Sequence, residues 1–138
     1  MIKKILVPVD GSASSDRAVA QAISIAALCE SKLNFLYVAN INQVAINAFL
    51  SDAILAAVKK AGEVILERAI NMLPSEIEYE TFSETGSPAV MILEFEKKNK
   101  PDLIVMGSRG LGLVKGVLLG SVSQYITEQS SCPVLIVK

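Results

Sequence analysis

Five short apolar runs, each closed by turn-forming residues and parted from the next by a stretch with helical spacing, constrain what this chain can become. Ile5-Leu-Val-Pro-Val9 runs into Asp10-Gly11, and Leu33 to Ala39 is the second run. Ile77 to Phe82 alternates, while Leu103 to Met106 and Val134 to Val137 are continuously apolar. Runs of this length bounded by turn signals read as strands, and continuous ones as strands buried on both faces. Between them, Ala18, Ala22, Ile25 and Cys29 recur at helical spacing as far as Glu30. Ser12, Ser14 and Ser15 offer N-cap oxygens to that helix, and Asp16 suits its positive end. A longer helical pattern places Ile54, Val58, Ile65 and Met72 on one face, with Pro74 just past its end. Gly86-Ser87-Pro88 sets a cap and a first-turn proline before a helix over Ala89–Lys98, and a short helix spans Ser123–Gln129. The resulting β-α-β-α-β-α-β-α-β order predicts an α/β fold: a single doubly wound, five-stranded parallel sheet with helices on both faces. With 138 residues and no linker, repeat or low-complexity segment, one domain covers 1–138.

Composition removes whole classes of function. The chain has no histidine, which excludes Ser-His-Asp and Cys-His nucleophile pairs, His-ligated zinc and imidazole acid–base chemistry. A net charge of −1 argues against a nucleic-acid binder held by phosphate neutralisation. Cys29 and Cys132 are isolated in apolar stretches and form no CxxC pair, so they read as two buried, reduced thiols of a cytoplasmic protein. The residues before Pro8 are too few for a signal-peptide core. The richest apolar stretch, Val44 to Val58, is broken by Asn47, Ser51 and Asp52, so no membrane span is expected.

In an open α/β sheet, ligands bind beyond the carboxyl ends of the strands, where the strand order reverses. The residues falling there are Pro8, Val9 and Asp10; Val38 to Asn40; Thr85 and Gly86; and Met106-Gly107-Ser108-Arg109-Gly110. The last run leads through Gly112 and Gly116 to Gly120-Ser121-Val122-Ser123, placing five glycines within fourteen residues. Glycines of this density before a helix let backbone N–H groups approach an anion, and Arg109 and Lys115 supply positive charge nearby. A phosphate suits such a loop, although glycines at a strand end followed by a serine N-cap explain the same residues without any ligand. Neither GxxxxGKS/T nor GxGxxG occurs, so a Walker loop and the dinucleotide fingerprint are both absent.

The spacing Gly107-x2-Gly110-x9-Gly120-Ser121 matches the G-x2-G-x9-G-S/T motif of the ATP-binding branch of the universal stress protein family. The N-terminal Ile-Leu-Val-Pro-Val-Asp-Gly-Ser, Leu-Tyr-Val of the second strand, the block 101–110 and the closing Cys-Pro-Val-Leu-Ile-Val also resemble that family. The resemblance runs from end to end and implies an adenine nucleotide α-hydrolase-like fold that binds ATP, with Mg²⁺ or Mn²⁺. It implies that Asp10 meets the ribose and that Pro8 and the main chain of Val38 flank adenine, with Val9 also among the nucleotide-binding residues. Met106 and Gly107 would lie beside the nucleoside. The phosphates would fall to Gly110, Gly120, Ser121, Val122 and Ser123, with Arg109 and Gly112 also counted as nucleotide-binding. Stress response, as a role, comes wholly from this resemblance.

Two segments bear on assembly and regulation. The fifth strand carries no charge to blunt an edge, so it should be covered or paired; the resemblance implies a homodimer through Val134–Val137. The apolar segment 40–53 reads either as the first turns of the long helix or as a patch of Val44, Ile46, Phe49 and Leu50 that covers the nucleotide or receives a partner. Three classes of function follow: a nucleotide-dependent regulator, a weak ATPase or self-phosphorylating enzyme with Ser121 or Ser123 as acceptor, and a nucleotide-free dimeric scaffold. The intact glycine motif favours the first. The absence of a Walker lysine or a placed water-orienting residue disfavours the second. AMP or a cyclic dinucleotide would use the same adenosine contacts.

Overall fold

The computed structural model describes residues 1–40, 52–109 and 119–138. Its elements are β1 (Lys4–Pro8), α1 (Ala13–Cys29), β2 (Lys32–Ala39), α2 (Asp52–Asn71), β3 (Tyr79–Thr85), α3 (Pro88–Asn99), β4 (Leu103–Gly107), α4 (Ser121–Gln129) and β5 (Val134–Val137). The strands form one sheet in the order β3-β2-β1-β4-β5. Every pairing is parallel, with Ile5 opposite Leu33 on one side and Leu103 on the other. The first two crossovers step one way from β1. The third steps back across it, so the order reverses between β1 and β4.

Right-handed crossovers then put α1 and α2 on one face and α3 and α4 on the other. Ile5, Val7, Leu33, Phe35 and Val105 point to the first face and pack on Ala18, Val19, Ala22, Leu66 and Ala69. Leu6, Leu36, Ile104 and Met106 point to the second and pack on Ile92, Phe95 and Ile126. Alternation along three central strands thus feeds two cores, as expected of a sheet buried on both sides. Among the described residues, no helix is long and apolar enough to cross a membrane.

Several boundaries and faces differ from the sequence reading. The third strand begins at Tyr79 and ends at Thr85 rather than spanning 77–82. Ile77 is buried ahead of the strand as part of the first core, so its apolar character belongs to the approach. The core face of α2 is Gly62, Leu66 and Ala69, with Ile65 half-buried beside them, while Ile54 and Met72 are exposed. Tyr37 explains the choice: a Cβ at position 62 would lie 2.5 Å from its ring. The helix docks through its smallest residue, which hydrophobic counting overlooks. Helix α4 starts at Ser121, two residues early, with Gly120 rather than a serine as N-cap. Both cysteines are free but half-buried rather than buried. The segment expectation for 41–51 lies outside the described residues, as do Gly110, Gly112 and Lys115.

At the amino ends of the strands, carboxylates close the molecule. Asp102 Oδ2 accepts the backbone N–H groups of Lys3 at 2.9 Å and Lys4 at 3.0 Å. These bonds hold its carboxyl below the usual range. Glu96 Oε1 accepts the Ser131 N–H at 2.9 Å, the Ser131 hydroxyl at 2.8 Å and the Cys132 N–H at 3.1 Å. Burial works to raise the Glu96 pKa, but the hydrogen bonds from Ser131, Ser130 and Cys132 outweigh it and the carboxyl titrates low. Burial, aided by the adjacent Glu96 carboxylate, pushes the Cys132 thiol up despite a hydrogen bond with Ser130. That thiol is therefore a poor nucleophile.

Candidate functional site

The turn after β1 is built around one carboxylate. Val9 is buried and donates its N–H to Leu36 O at 2.9 Å, which ties the end of β1, with half-buried Pro8, to β2. Asp10 Oδ1 accepts the Ser12 N–H at 2.9 Å, an Asx turn, and the Asp10 N–H reaches Ser15 Oγ at 3.2 Å. Among the described residues Oδ2 accepts no bond. Gly11 follows at φ +83°, a conformation glycine adopts without strain, and a Cβ there would sit 3.2 Å from Ile65 Cγ1 of α2. Ser12 then caps α1 by accepting the Ser15 N–H at 3.2 Å. Arg68 of α2 pairs with Asp16 in the first turn of α1.

Beside it, Val38 is half-buried near the end of β2, in register with Glu84, and Gly86 donates to Ala39 O at 2.9 Å. On the other side of β1, Met106 is buried and Gly107 ends β4. A Cβ on Gly107 would lie 2.5 Å from Ser14 Oγ and 2.8 Å from the Ser14 carbonyl carbon. Only glycine lets β4 come this close to the start of α1.

Beyond the strand, the backbone of 107–109 is held from three directions. Gly107 O accepts the Ser123 hydroxyl at 2.8 Å. Ser108 donates its N–H to Val137 O of β5 at 2.8 Å and accepts the Gly120 N–H at 2.7 Å. Arg109 O accepts the Ser14 hydroxyl at 2.6 Å and the Ser12 hydroxyl at 3.3 Å, and the Arg109 N–H points back to Ser14 Oγ at 3.3 Å. The Arg109 side chain is exposed.

The start of α4 is the counterpart. Its N-cap, Gly120, lacks a side chain, makes no cap bond and leaves the first turn without an acidic residue. The N–H groups of Ser121 and Val122 have no intrahelical acceptor and donate to no group among the described residues, where the helix dipole has its positive end. Ser123 is buried and its hydroxyl proton is committed to Gly107 O, so it braces α4 on β4. Sequence reasoning found the residues around this crevice but took Ser12, Ser14 and Ser15 only as helix caps. Nothing local in the sequence signals that Ser14 reaches Arg109.

A parallel doubly wound sheet with a carboxylate turn after β1 and a helix N-terminus without a side-chain cap beside the reversal of strand order defines an α/β protein of the class whose ligands bind at such switch points. The family model described as "Universal stress protein family" matches residues 1–138. Universal stress protein YxiE of Bacillus subtilis is 36% identical over 148 residues, covering 100% of both chains. Among solved structures, the protein MJ0577 superposes with a TM-score of 0.90 at 25% identity, covering 100% of this chain and 96% of that one. A universal stress protein in complex with cAMP gives 0.65 at 31% identity, with coverages of 99% and 96%. An Arabidopsis thaliana family protein with AMP bound gives 0.73 at 25%, with coverages of 99% and 91%. This chain belongs to the universal stress protein family.

Proposed function

We propose that this chain binds an adenine nucleotide, ATP foremost, in the crevice above β1 and β4, and acts as a small cytoplasmic nucleotide-dependent regulator or sensor in the stress response. The observation that carries the reading is the uncapped N-terminus of α4 beside the pinned 107–109 backbone, joined through Ser14 and Ser15 to the Asp10 turn. One half of the crevice offers N–H donors and positive dipole to phosphates, and the other a carboxylate oxygen to ribose hydroxyls. Relatives that hold cAMP and AMP add weight to an adenine-containing guest.

In this reading Asp10 Oδ2 accepts from the ribose, and Pro8, Val9 and Val38 flank the base. Met106 and Gly107 border the nucleoside. Arg109, Gly110, Gly112, Gly120, Ser121, Val122 and Ser123 surround the phosphates, the last three through backbone N–H groups and the helix dipole, while the Gly120 N–H is held by Ser108 O. The described residues contain no group of three or more acidic or thiol ligands fit for a metal ion. A Mg²⁺ or Mn²⁺ would therefore ride on the phosphate oxygens, with Asp10 the nearest carboxylate placed at the crevice. Self-phosphorylation at Ser123 is disfavoured by its burial and by its bond to Gly107 O.

Assembly follows from β5. This edge strand is Val-Leu-Ile-Val, with Leu135 exposed, and we place a second copy of the chain against it as a homodimer. Light scattering at micromolar concentration should return twice the chain mass, and a monomer would end that part of the reading. The site is tested by denaturing fresh protein, chromatographing what it releases, and titrating stripped protein with ATP with and without Mg²⁺. Binding that is lost in Gly120→Val and Asp10→Ala supports the site. Empty protein with no heat or thermal shift at high ATP would return the loop to a structural turn.

A further inference from the structure

We infer that Ser14, a residue with no expected contact to any ligand, is the positioning residue that sets the phosphate side of the crevice. The inference rests on the adenine-nucleotide reading above and deepens it.

Three observations converge on this side chain. It is buried, at 5% exposure, although it sits in the first turn of a helix where serine is normally solvated. Its hydroxyl serves Arg109 twice, donating to the carbonyl at 2.6 Å and accepting the N–H at 3.3 Å. This pairs one side chain with both backbone groups of a residue lying outside any strand or helix. Finally, Gly107 approaches the hydroxyl so closely that a single added carbon would collide with it. Helix capping explains none of these, because the cap of α1 is Ser12.

The consequence is mechanical. Arg109 is the last residue before the glycines assigned to the phosphates, and Gly107, two residues back, holds the Ser123 hydroxyl of α4. Ser14 therefore fixes the backbone from which the loop departs, while Ser123 and Gly120 fix the helix at which it returns. Most of the adenosine side, on Pro8, Val9, Asp10 and Val38, hangs from β1 and β2, and Met106 and Gly107 are held within β4 itself, so neither part depends on this bond. Removing the hydroxyl should loosen the phosphate side alone.

Ser31 supplies a matched control. It is equally buried, at 4% exposure, and its hydroxyl donates to Ile2 O at the same 2.6 Å, but at the opposite end of the sheet. Wild type, Ser14→Ala, Ser31→Ala and the near-isosteric Ser14→Cys are titrated calorimetrically with ATP and with adenosine, alongside thermal melts. Both alanine variants should melt earlier by similar amounts. Only Ser14→Ala should lose ATP affinity, by about tenfold, with adenosine affinity kept, which is the scale of one backbone hydrogen bond. Ser14→Cys, keeping the shape but weakening the bond, should fall between and carries the test if the alanine variant does not fold. A Ser14 variant whose ATP-to-adenosine ratio equals wild type's, or a Ser31 variant that shifts the ratio equally, overturns the inference and leaves the nucleotide reading intact. Wild-type protein that binds neither ligand overturns both.

Discussion

The two ends of the sheet are closed by different chemistry. At the amino ends, carboxylates gather stray backbone N–H groups: Asp102 takes those of Lys3 and Lys4, and Glu96 those of Ser131 and Cys132. At the carboxyl ends, neutral hydroxyls hold the backbone by donating to its carbonyls instead, Ser12 and Ser14 to Arg109 O and Ser123 to Gly107 O. A carboxylate is the stronger acceptor, but it also fills the positive potential of the donors it holds. The hydroxyls tie the backbone without spending that potential, so the start of α4 remains attractive to an anion. Asp10 is the exception that fits: its Oδ1 is used locally, and among the described residues its Oδ2 accepts no bond.

Four changes test this contrast, in falling order of expected effect on stability. Gly107→Ala drives a methyl into Ser14 and the backbone of α1, and should destabilise the fold by about 3 kcal/mol in urea unfolding. Glu96→Ala leaves the N–H groups of Ser131 and Cys132 without their acceptor and should cost about 2 kcal/mol, with Glu96→Gln milder because its carbonyl oxygen still accepts.

Acidification comes third. Asp102 and Glu96 titrate below their ordinary values of 3.8 and 4.5 in the folded chain, so over that range the unfolded chain binds more protons. Their contribution is complete above the ordinary values and is lost as pH falls through the depressed ones. Hydrogen exchange, corrected for intrinsic rates, should then rise first at Lys3, Lys4, Ser131 and Cys132, while Ser108 and Arg109 stay protected. Asp102→Asn should flatten part of the acid limb.

The smallest effect on stability is the most telling for function. Gly120 has extended φ and ψ of −65° and 159°, which an aspartate N-cap adopts. Gly120→Asp should raise the unfolding free energy by a few tenths of a kcal/mol while abolishing ATP binding, because the new carboxylate occupies the donors. A variant that gains stability and still binds ATP would show that the phosphates do not rest there.

Much of the frame was legible in the sequence because strand burial on both faces writes continuous apolar runs, and Leu103–Met106 and Leu33–Ala39 read directly. The edge was harder. Strand β3 is mostly exposed, and its true span, with Glu80 and Glu84, lacks the apolar signal that drew the reading back to Ile77. The face of α2 was misjudged because docking there depends on what is missing at Gly62, and large residues such as Ile54 and Met72 lie outside. Within the site, Asp10 and Gly107 announce themselves through glycine-rich turns at strand ends. Ser14 does not, since its partner is close only after β4 is laid beside β1.

That seam also governs when a ligand can matter. Ile5 and Leu103, neighbours in the sheet, are far apart along the chain, so the contact forms only after the largest loop closure the topology demands, and such closures are slow. Whatever binds across it recognises only the finished molecule and stabilises it by mass action. On the proposed reading, a cell short of the nucleotide would see the balance between intact and opened chains shift toward the proteases, making the abundance of the protein itself a readout of supply.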